Sequence, residues 1–222
     1  MTETFSRSAK LMGIMSAAVV LIAGVAYAAV LTFGYASLAS PDAPIGEPYF
    51  TAMEVLILIL APAVVSLLAA VHAWAPRDCK GLSLVALSFA AMLATITSSV
   101  HFLILTLSGE PGFTDPAVAN AFLAFRWPSV VYALDILAWD IFFALSMLFA
   151  APVFVGDGIN RAIRNIMIAS GVLALAGLLG VAVNDMAIRN IGIAGYLGAF
   201  LIVDGLLLAL FLRTPAAPGT VV

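Results

Sequence analysis

Residues 51–74 have the sequence TAMEVLILILAPAVVSLLAAVHAW, and this stretch decides the class of fold. A helix needs about 20 predominantly apolar residues to cross the roughly 30 Å hydrocarbon core of a bilayer, and the stretch exceeds that length. Backbone amides and carbonyls in lipid must be paired within the segment, and the stretch lacks the alternation of apolar and polar residues that is typical of a barrel strand. It therefore predicts a transmembrane helix.

Five further apolar runs of similar length occur along the chain. Together with residues 51–74, they predict six transmembrane helices, at 11–33, 51–74, 82–107, 128–154, 162–183 and 191–212. Turn-forming residues, such as Gly109 with Pro111 and Asn184 with Asp185, lie between these runs. The sequence therefore predicts an all-α fold, a polytopic integral membrane bundle in which residues 1–222 form a single transmembrane domain.

The composition of the whole chain favours the same location. Of its 222 residues, 64% are hydrophobic and 9% are charged, and the mean hydropathy is +1.17. An ordinary soluble domain has roughly 25% charged residues, so this chain has too few polar side chains to cover a soluble core of its size. We expect the lipid bilayer to be its main partner.

Lysine and arginine determine the predicted orientation, because they are enriched in cytoplasmic loops. With the N-terminus inside, the inner face receives most of the nine basic residues, namely Arg7, Lys10, Arg77, Lys80, Arg161, Arg164 and Arg213. The outer face receives Arg126 and Arg189. The distribution predicts a protein of the plasma (inner) membrane with both termini in the cytoplasm.

The outer connector at 109–127 has a signal for a short helix. Asp115 provides an N-cap oxygen, and Pro116 suits the first helical position. We expect the helix to lie along the outer membrane surface and to end at Arg126 and Trp127, which would anchor it at the interface. A well-packed connector and a gating lid are both compatible with this pattern.

Ionisable residues inside apolar runs are costly and usually face the interior of a bundle, so they are the best pointers to a site. A rise of 1.5 Å per residue places Glu54, His101 and Asp135 in the outer half of the membrane. We therefore predict a polar pocket formed by these three residues, with Tyr132 and Trp139 as its walls. The pocket would suit proton transfer or recognition of a cationic group; alternatively, His101 and Asp135 only hold two helices together.

The same count places Asp140 and Asp204 near the midplane of the membrane. They form either a relay for protons or cations, or two neutral acids that are hydrogen-bonded to a serine or a backbone carbonyl. At 100° per residue, Asp140 is rotated by about 140° from Asp135, so we expect the two not to serve one site through one helix face.

Several kinds of chemistry are excluded by the residues present. Both lysines lie outside the apolar runs, which excludes a retinal Schiff base, and His72 and His101 lie some 20 Å apart along the membrane normal, which excludes a haem held by two histidines. The sequence has no His-Glu-x-x-His pattern, predicts no metal site and identifies no cofactor. Its basic residues are scattered, so nucleic acid is not expected as a partner.

Three functions are compatible with these features. The leading hypothesis is small-molecule or ion transport, or an accessory membrane role, through the polar pocket. The alternatives are a membrane-embedded enzyme, in which His101 and a carboxylate act on a lipid-like substrate, and a structural subunit of a larger complex. A homo-oligomer is also left open. A cavity that is open to the outside favours transport, a lateral opening to lipid favours the enzyme, and a dry interior favours the subunit.

Overall fold

A computed structural model describes residues 5–40, 43 and 45–215. Within these residues the chain is helical and contains no strand. Six helices are long and apolar enough to cross a membrane, and we number these spans in chain order: Arg7–Ala36, Tyr49–Trp74, Arg77–Leu107, Val130–Val153, Ile159–Ala182 and Met186–Arg213. The predicted all-α bundle of six transmembrane helices is confirmed.

The outer surface of the bundle is apolar, as lipid requires. Large hydrophobic side chains point away from the interior on several spans, among them Ile22, Phe33 and Leu179, which are 71%, 61% and 62% exposed. So much exposed apolar surface would be unfavourable in water. It is the expected surface of a multi-pass membrane protein.

Neighbouring spans pack in chain order, and the sixth span closes the ring by packing against the first. One end of the bundle carries the connectors 108–129 and 183–185, and we call it the 108–129 end. The half of the bundle nearer the opposite end is filled by large buried side chains, including Leu67, Phe154, Met167 and Phe211. The buried charged groups that contact one another, described below, lie in the other half, towards the 108–129 end.

The sixth span begins earlier than the sequence predicts. The side chain of Asp185 accepts hydrogen bonds from the backbone N–H groups of Ala187 at 2.9 Å and Ile188 at 3.3 Å. This N-cap lets the helix start at Met186 rather than at 191. As a result, Arg189 lies within the span.

The 108–129 connector contains a short helix, Pro116–Phe122. Its N-cap is Asp115, whose Oδ1 accepts a hydrogen bond from the N–H of Ala117 at 2.8 Å. The helix ends before Arg126 and Trp127, so the predicted end point is wrong. The chain turns there because Ser129 donates to the carbonyl of Ala124 at 2.6 Å. That the helix lies on the membrane surface stays a prediction.

Candidate functional site: a buried charge cluster beneath a cavity

Five ionisable side chains from four spans lie together in the half of the bundle nearer the 108–129 end. We call this group the charge cluster: Glu54, His101, Asp135, Asp140 and Arg189. Each residue is at most 5% exposed. Burial of charge is unfavourable unless partners are close, so loss of one partner within the cluster is expected to destabilise the bundle.

His101 lies between two acids. Its Nδ1 is 2.6 Å from Oε2 of Glu54, and its Nε2 is 3.7 Å from Oδ1 of Asp135. Both ring nitrogens therefore face carboxylate oxygens. Only the imidazolium form has an N–H on both nitrogens, so the geometry favours a positively charged His101.

Arg189 lies between the other two acids of the cluster. Its Nε and Nη2 atoms are each 3.2 Å from Oδ2 of Asp140, and Nη2 is 3.6 Å from Oδ2 of Asp135. The guanidinium carbon lies 5.2 Å from the ring centre of Tyr132 and 5.8 Å from that of Tyr196. These are cation–π distances, so the two aromatic rings replace part of the water that the guanidinium loses on burial.

The sequence predicted that Asp135 and Asp140 do not serve one site through one helix face, and in the structure both contact Arg189. The fourth span is not a regular α-helix, since residues Leu137–Phe143 form a π-helix. A π-helix repeats its hydrogen bonds every five residues, which brings side chains five positions apart towards one face. The rotation of 100° per residue therefore fails for this pair.

Two glycines make room for Asp140. A Cβ atom at Gly177 would lie 2.8 Å from Oδ1 of Asp140, and a Cβ at Gly192 would lie closer still. The fifth and sixth spans can therefore approach the carboxylate only because both positions lack a side chain. Glycine at these positions holds Asp140 within reach of Arg189.

The substitution Gly192→Ala is expected to lower the free energy of unfolding by about 1–3 kcal/mol, because the added methyl group would clash with the side chain of Asp140. Gly198→Ala is the matched control on the same span, since a Cβ there meets nothing within 4 Å. Reversible unfolding in mixed micelles measures both variants. Equal stability of the two would contradict the close packing around Asp140.

The other predicted midplane acid, Asp204, lies outside the charge cluster. It is fully buried, and neither of its carboxyl oxygens has a hydrogen-bond partner among the described residues. The predicted bond to a serine or a backbone carbonyl is therefore not seen in that part of the chain. Asp140, in contrast, is paired with Arg189 rather than with Asp204.

A cavity of about 640 Å³ lies beside the charge cluster. Four members of the cluster line it, Glu54, His101, Asp135 and Arg189, together with several large aromatic residues that include Tyr27, Tyr132, Trp139 and Tyr196. Its lining continues to Asn120 and Arg126 in the 108–129 connector and to Asn190 at the start of the sixth span. The cavity therefore extends from the end of the bundle to the buried charges, and its volume is in the range that holds small organic ligands.

Four atoms of the cluster have no hydrogen-bond partner within residues 5–40, 43 and 45–215. They are Nε2 of His101, Oδ1 of Asp135, Oδ1 of Asp140 and Nη2 of Arg189. Of these residues, His101, Asp135 and Arg189 line the cavity, and Asp140 does not. Buried polar groups are usually satisfied, so the unpaired atoms of the three lining residues are groups that a ligand in the cavity would satisfy. No set of three or more His, Cys, Asp or Glu side chains in the described part of the chain is arranged to hold a metal ion.

The five pocket residues named from the sequence all line this cavity: Glu54, His101, Asp135, Tyr132 and Trp139. Trp139 is fixed there by a hydrogen bond from its Nε1 to Oγ1 of Thr97 at 3.1 Å. The sequence reasoning missed Arg189, which it assigned to an outer loop. A signal was present, because three buried acids need more positive charge than one histidine supplies, and Arg189 lies next to the predicted helix start.

Comparison of the chain with protein-family models, with curated proteins and with solved structures finds no match.

Proposed function

We propose that the protein is a small-solute transporter of the plasma (inner) membrane, with the 108–129 end outside and both termini in the cytoplasm. The observation that carries the proposal is the cavity that extends from that end to the charge cluster. A subunit with a purely structural role has no need of such a cavity. Ionisable residues that line a cavity within a membrane are typical of substrate and ion pathways.

The half of the bundle away from the 108–129 end is closed, as expected for one state of a transport cycle. In this conformation it is closed by packed apolar side chains, including Leu67 and Met167. A solute that enters from the 108–129 end would reach the charge cluster and stop there. Transporters expose such a central site to each side of the membrane in turn.

Two irregular segments beside the cavity are suitable places for that change of shape. The π-helical residues Leu137–Phe143 include Trp139, and the π-helical residues Ala194–Ala199 include Tyr196. Both aromatic side chains line the cavity. Departures of this kind from α-helical geometry are frequent at functional sites, because the hydrogen-bond ladder is already interrupted there.

Access to a single cysteine tests the transport cycle. Cys79 is the only cysteine of the chain, so Cys79→Ser provides a cysteine-free background. In that background, Leu197→Cys places a thiol on the cavity lining. Ile202→Cys places a thiol on the lipid-facing side of the same span, at a position that is 57% exposed. The reagent is a membrane-impermeant methanethiosulfonate, applied to right-side-out and inside-out vesicles.

We expect the thiol at position 197 to react from both sides of the membrane, because each side reaches the cavity during part of the cycle. The thiol at position 202 should react slowly from either side, because it faces lipid. Reaction of position 197 from one side only, or from neither, would contradict transport. Fast reaction of the thiol at position 202 would contradict the packing of the bundle, because that position would then not face lipid.

A membrane enzyme is the second candidate, and His101 is the observation that favours it. His101 lines the cavity, its Nε2 has no hydrogen-bond partner among the described residues, and the carboxylate of Glu54 holds the opposite nitrogen. Such a histidine suits general acid–base chemistry. Incubation with a membrane lipid extract, followed by mass spectrometry, tests this function. A lipid product that requires His101 would support the enzyme.

A further inference from the structure

We propose that the transported solute is an organic monocation, which exchanges for one proton at the charge cluster. This substrate class rests on the proposed transport function. Its basis is the charge balance of the cluster, the chemistry of the cavity walls and the unpaired carboxylate oxygen of Asp135, a residue that lines the cavity.

The charge cluster has one negative charge in excess. Glu54, Asp135 and Asp140 supply three carboxylates, whereas Arg189 and an imidazolium at His101 supply two positive charges. With every group ionised, the sum is one negative charge. Such a charge is unfavourable in a buried site and is neutralised either by a proton or by a bound cation.

The other ionisable groups near the cluster do not supply the missing positive charge. Tyr27 and Tyr35 on the first span, Tyr132 on the fourth and Tyr196 on the sixth line the cavity, and phenol groups are neutral or negative, never positive. Arg126 lies at the mouth of the cavity, where it is exposed and donates to Asn120 at 2.7 Å. The basic residues of the fifth span, Arg161 and Arg164, lie at its other end.

A proton and a cation therefore compete for the same negative charge. Oδ1 of Asp135 lacks a hydrogen-bond partner among the described residues, and Asp135 lines the cavity, so this carboxylate is the group that we expect an entering cation to bind. Binding of the cation releases the proton, and binding of the proton displaces the cation. In a protein that opens to each side in turn, this competition becomes exchange of one for the other.

The walls of the cavity favour an organic cation. Tyr27, Tyr132, Trp139 and Tyr196 present aromatic rings to it, and two of these rings already lie within cation–π distance of the Arg189 guanidinium. A volume of about 640 Å³ suits an organic molecule rather than a bare metal ion. An organic anion is disfavoured, because Arg189 is already shared by two carboxylates.

Binding of a matched pair of ions tests the charge preference. Tetraphenylphosphonium and tetraphenylborate have similar size and shape but opposite charge. With the full chain in detergent, and after subtraction of protein-free micelles, we expect saturable binding of tetraphenylphosphonium at least about tenfold tighter than that of tetraphenylborate. Equal affinities, or tighter binding of tetraphenylborate, would overturn the proposal.

The dependence on pH tests the exchange. At high pH the cluster holds no extra proton, and cation affinity should be constant. As the pH falls and the cluster takes up the proton, the affinity should decrease by up to about tenfold per pH unit, with up to one proton released per cation bound in weakly buffered solution. Constant affinity between about pH 5 and pH 9, with no proton release, would overturn the exchange.

The variant Asp135→Asn removes one carboxylate and leaves the cluster neutral. We expect it to lose about tenfold or more in tetraphenylphosphonium affinity and to release no proton. Glu110→Gln is the matched control, because it removes the same charge from an exposed position of the 108–129 connector. If Asp135→Asn does not fold, as gel filtration would show, the pH dependence of the unmodified protein decides the matter.

The cysteine experiment separates failure of this substrate class from failure of transport. Two-sided access at position 197 without a preference for the cation would leave transport standing and overturn the monocation. Cation binding with proton release but one-sided access would overturn transport and support a cation-binding site.

Discussion

The substitution Arg189→Met is expected to lower the free energy of unfolding by about 3–5 kcal/mol, because it removes the positive partner of two buried carboxylates. Asp135 and Asp140 are 5% and 0% exposed, so water cannot replace the guanidinium. Reversible unfolding in mixed micelles measures the loss. Lowering the pH should restore part of the stability, because a protonated carboxyl group is less unfavourable in a buried site than a charged one.

The control for this variant is Arg161→Met. Arg161 also pairs with an aspartate, Asp157, but its side chain is 58% exposed. Exposed ion pairs contribute little to stability, because water solvates both partners. A loss at Arg189 no greater than that at Arg161 would show that Arg189 is not the partner that stabilises the buried acids.

The transmembrane spans are predictable from the sequence because lipid imposes a simple physical condition. A segment must be apolar over about 20 residues and must satisfy its own backbone hydrogen bonds, so hydropathy alone identifies it. The second span, predicted at 51–74, is Tyr49–Trp74 in the structure. The sixth span was predicted five residues short, because Arg189 and Asn190 interrupt the apolar run after the Asp185 cap and so lower the hydropathy of the first helical turn.

The level of the candidate site is also readable from the sequence. Counting the rise per residue placed Glu54, His101 and Asp135 at similar depth, and in the structure His101 contacts both acids. That estimate needs only straight helices and a common membrane boundary. It does not include residues that were assigned to a loop. Arg189 was missed for this reason, because it lies in a first helical turn that the sequence did not reveal.

The angle between the side chains of Asp135 and Asp140 around the axis of the fourth span cannot be predicted from the sequence with 100° per residue. The π-helix at Leu137–Phe143 changes the angle between them, and its presence depends on packing with other spans. Gly177 and Gly192, which seat Asp140, lie far from it along the chain. Only the tertiary structure shows that small residues on two spans and an irregular turn on a third produce one site.

The contact between His101 and Glu54 is compatible with both interpretations made from the sequence. A pair that holds the second and third spans together needs only the 2.6 Å contact, whereas a binding site also needs the cavity, and both are present. The contact alone therefore does not distinguish a structural pair from a pair that binds the solute. The two roles are distinguished by removing His101 alone and then His101 together with Glu54, and by measuring stability and cation binding.

The substitution His101→Leu is expected to lower the free energy of unfolding by about 3–5 kcal/mol, because it leaves Glu54 buried without its partner. The double variant His101→Leu with Glu54→Leu should recover most of this loss, since apolar side chains can replace a buried ion pair with little net cost. His72→Leu is the control, because His72 pairs with Ser83 outside the cluster. Additive losses in the double variant would show that the two residues do not stabilise each other.

Cation binding by the same double variant separates net charge from the identity of the histidine. Removing one positive and one negative group leaves Asp135, Asp140 and Arg189, whose sum is still one negative charge. We therefore expect the double variant to bind tetraphenylphosphonium within about tenfold of the unmodified protein, whereas Asp135→Asn does not. A stable double variant that no longer binds the cation would mean that the solute contacts His101 or Glu54 directly, and that charge balance alone does not determine binding.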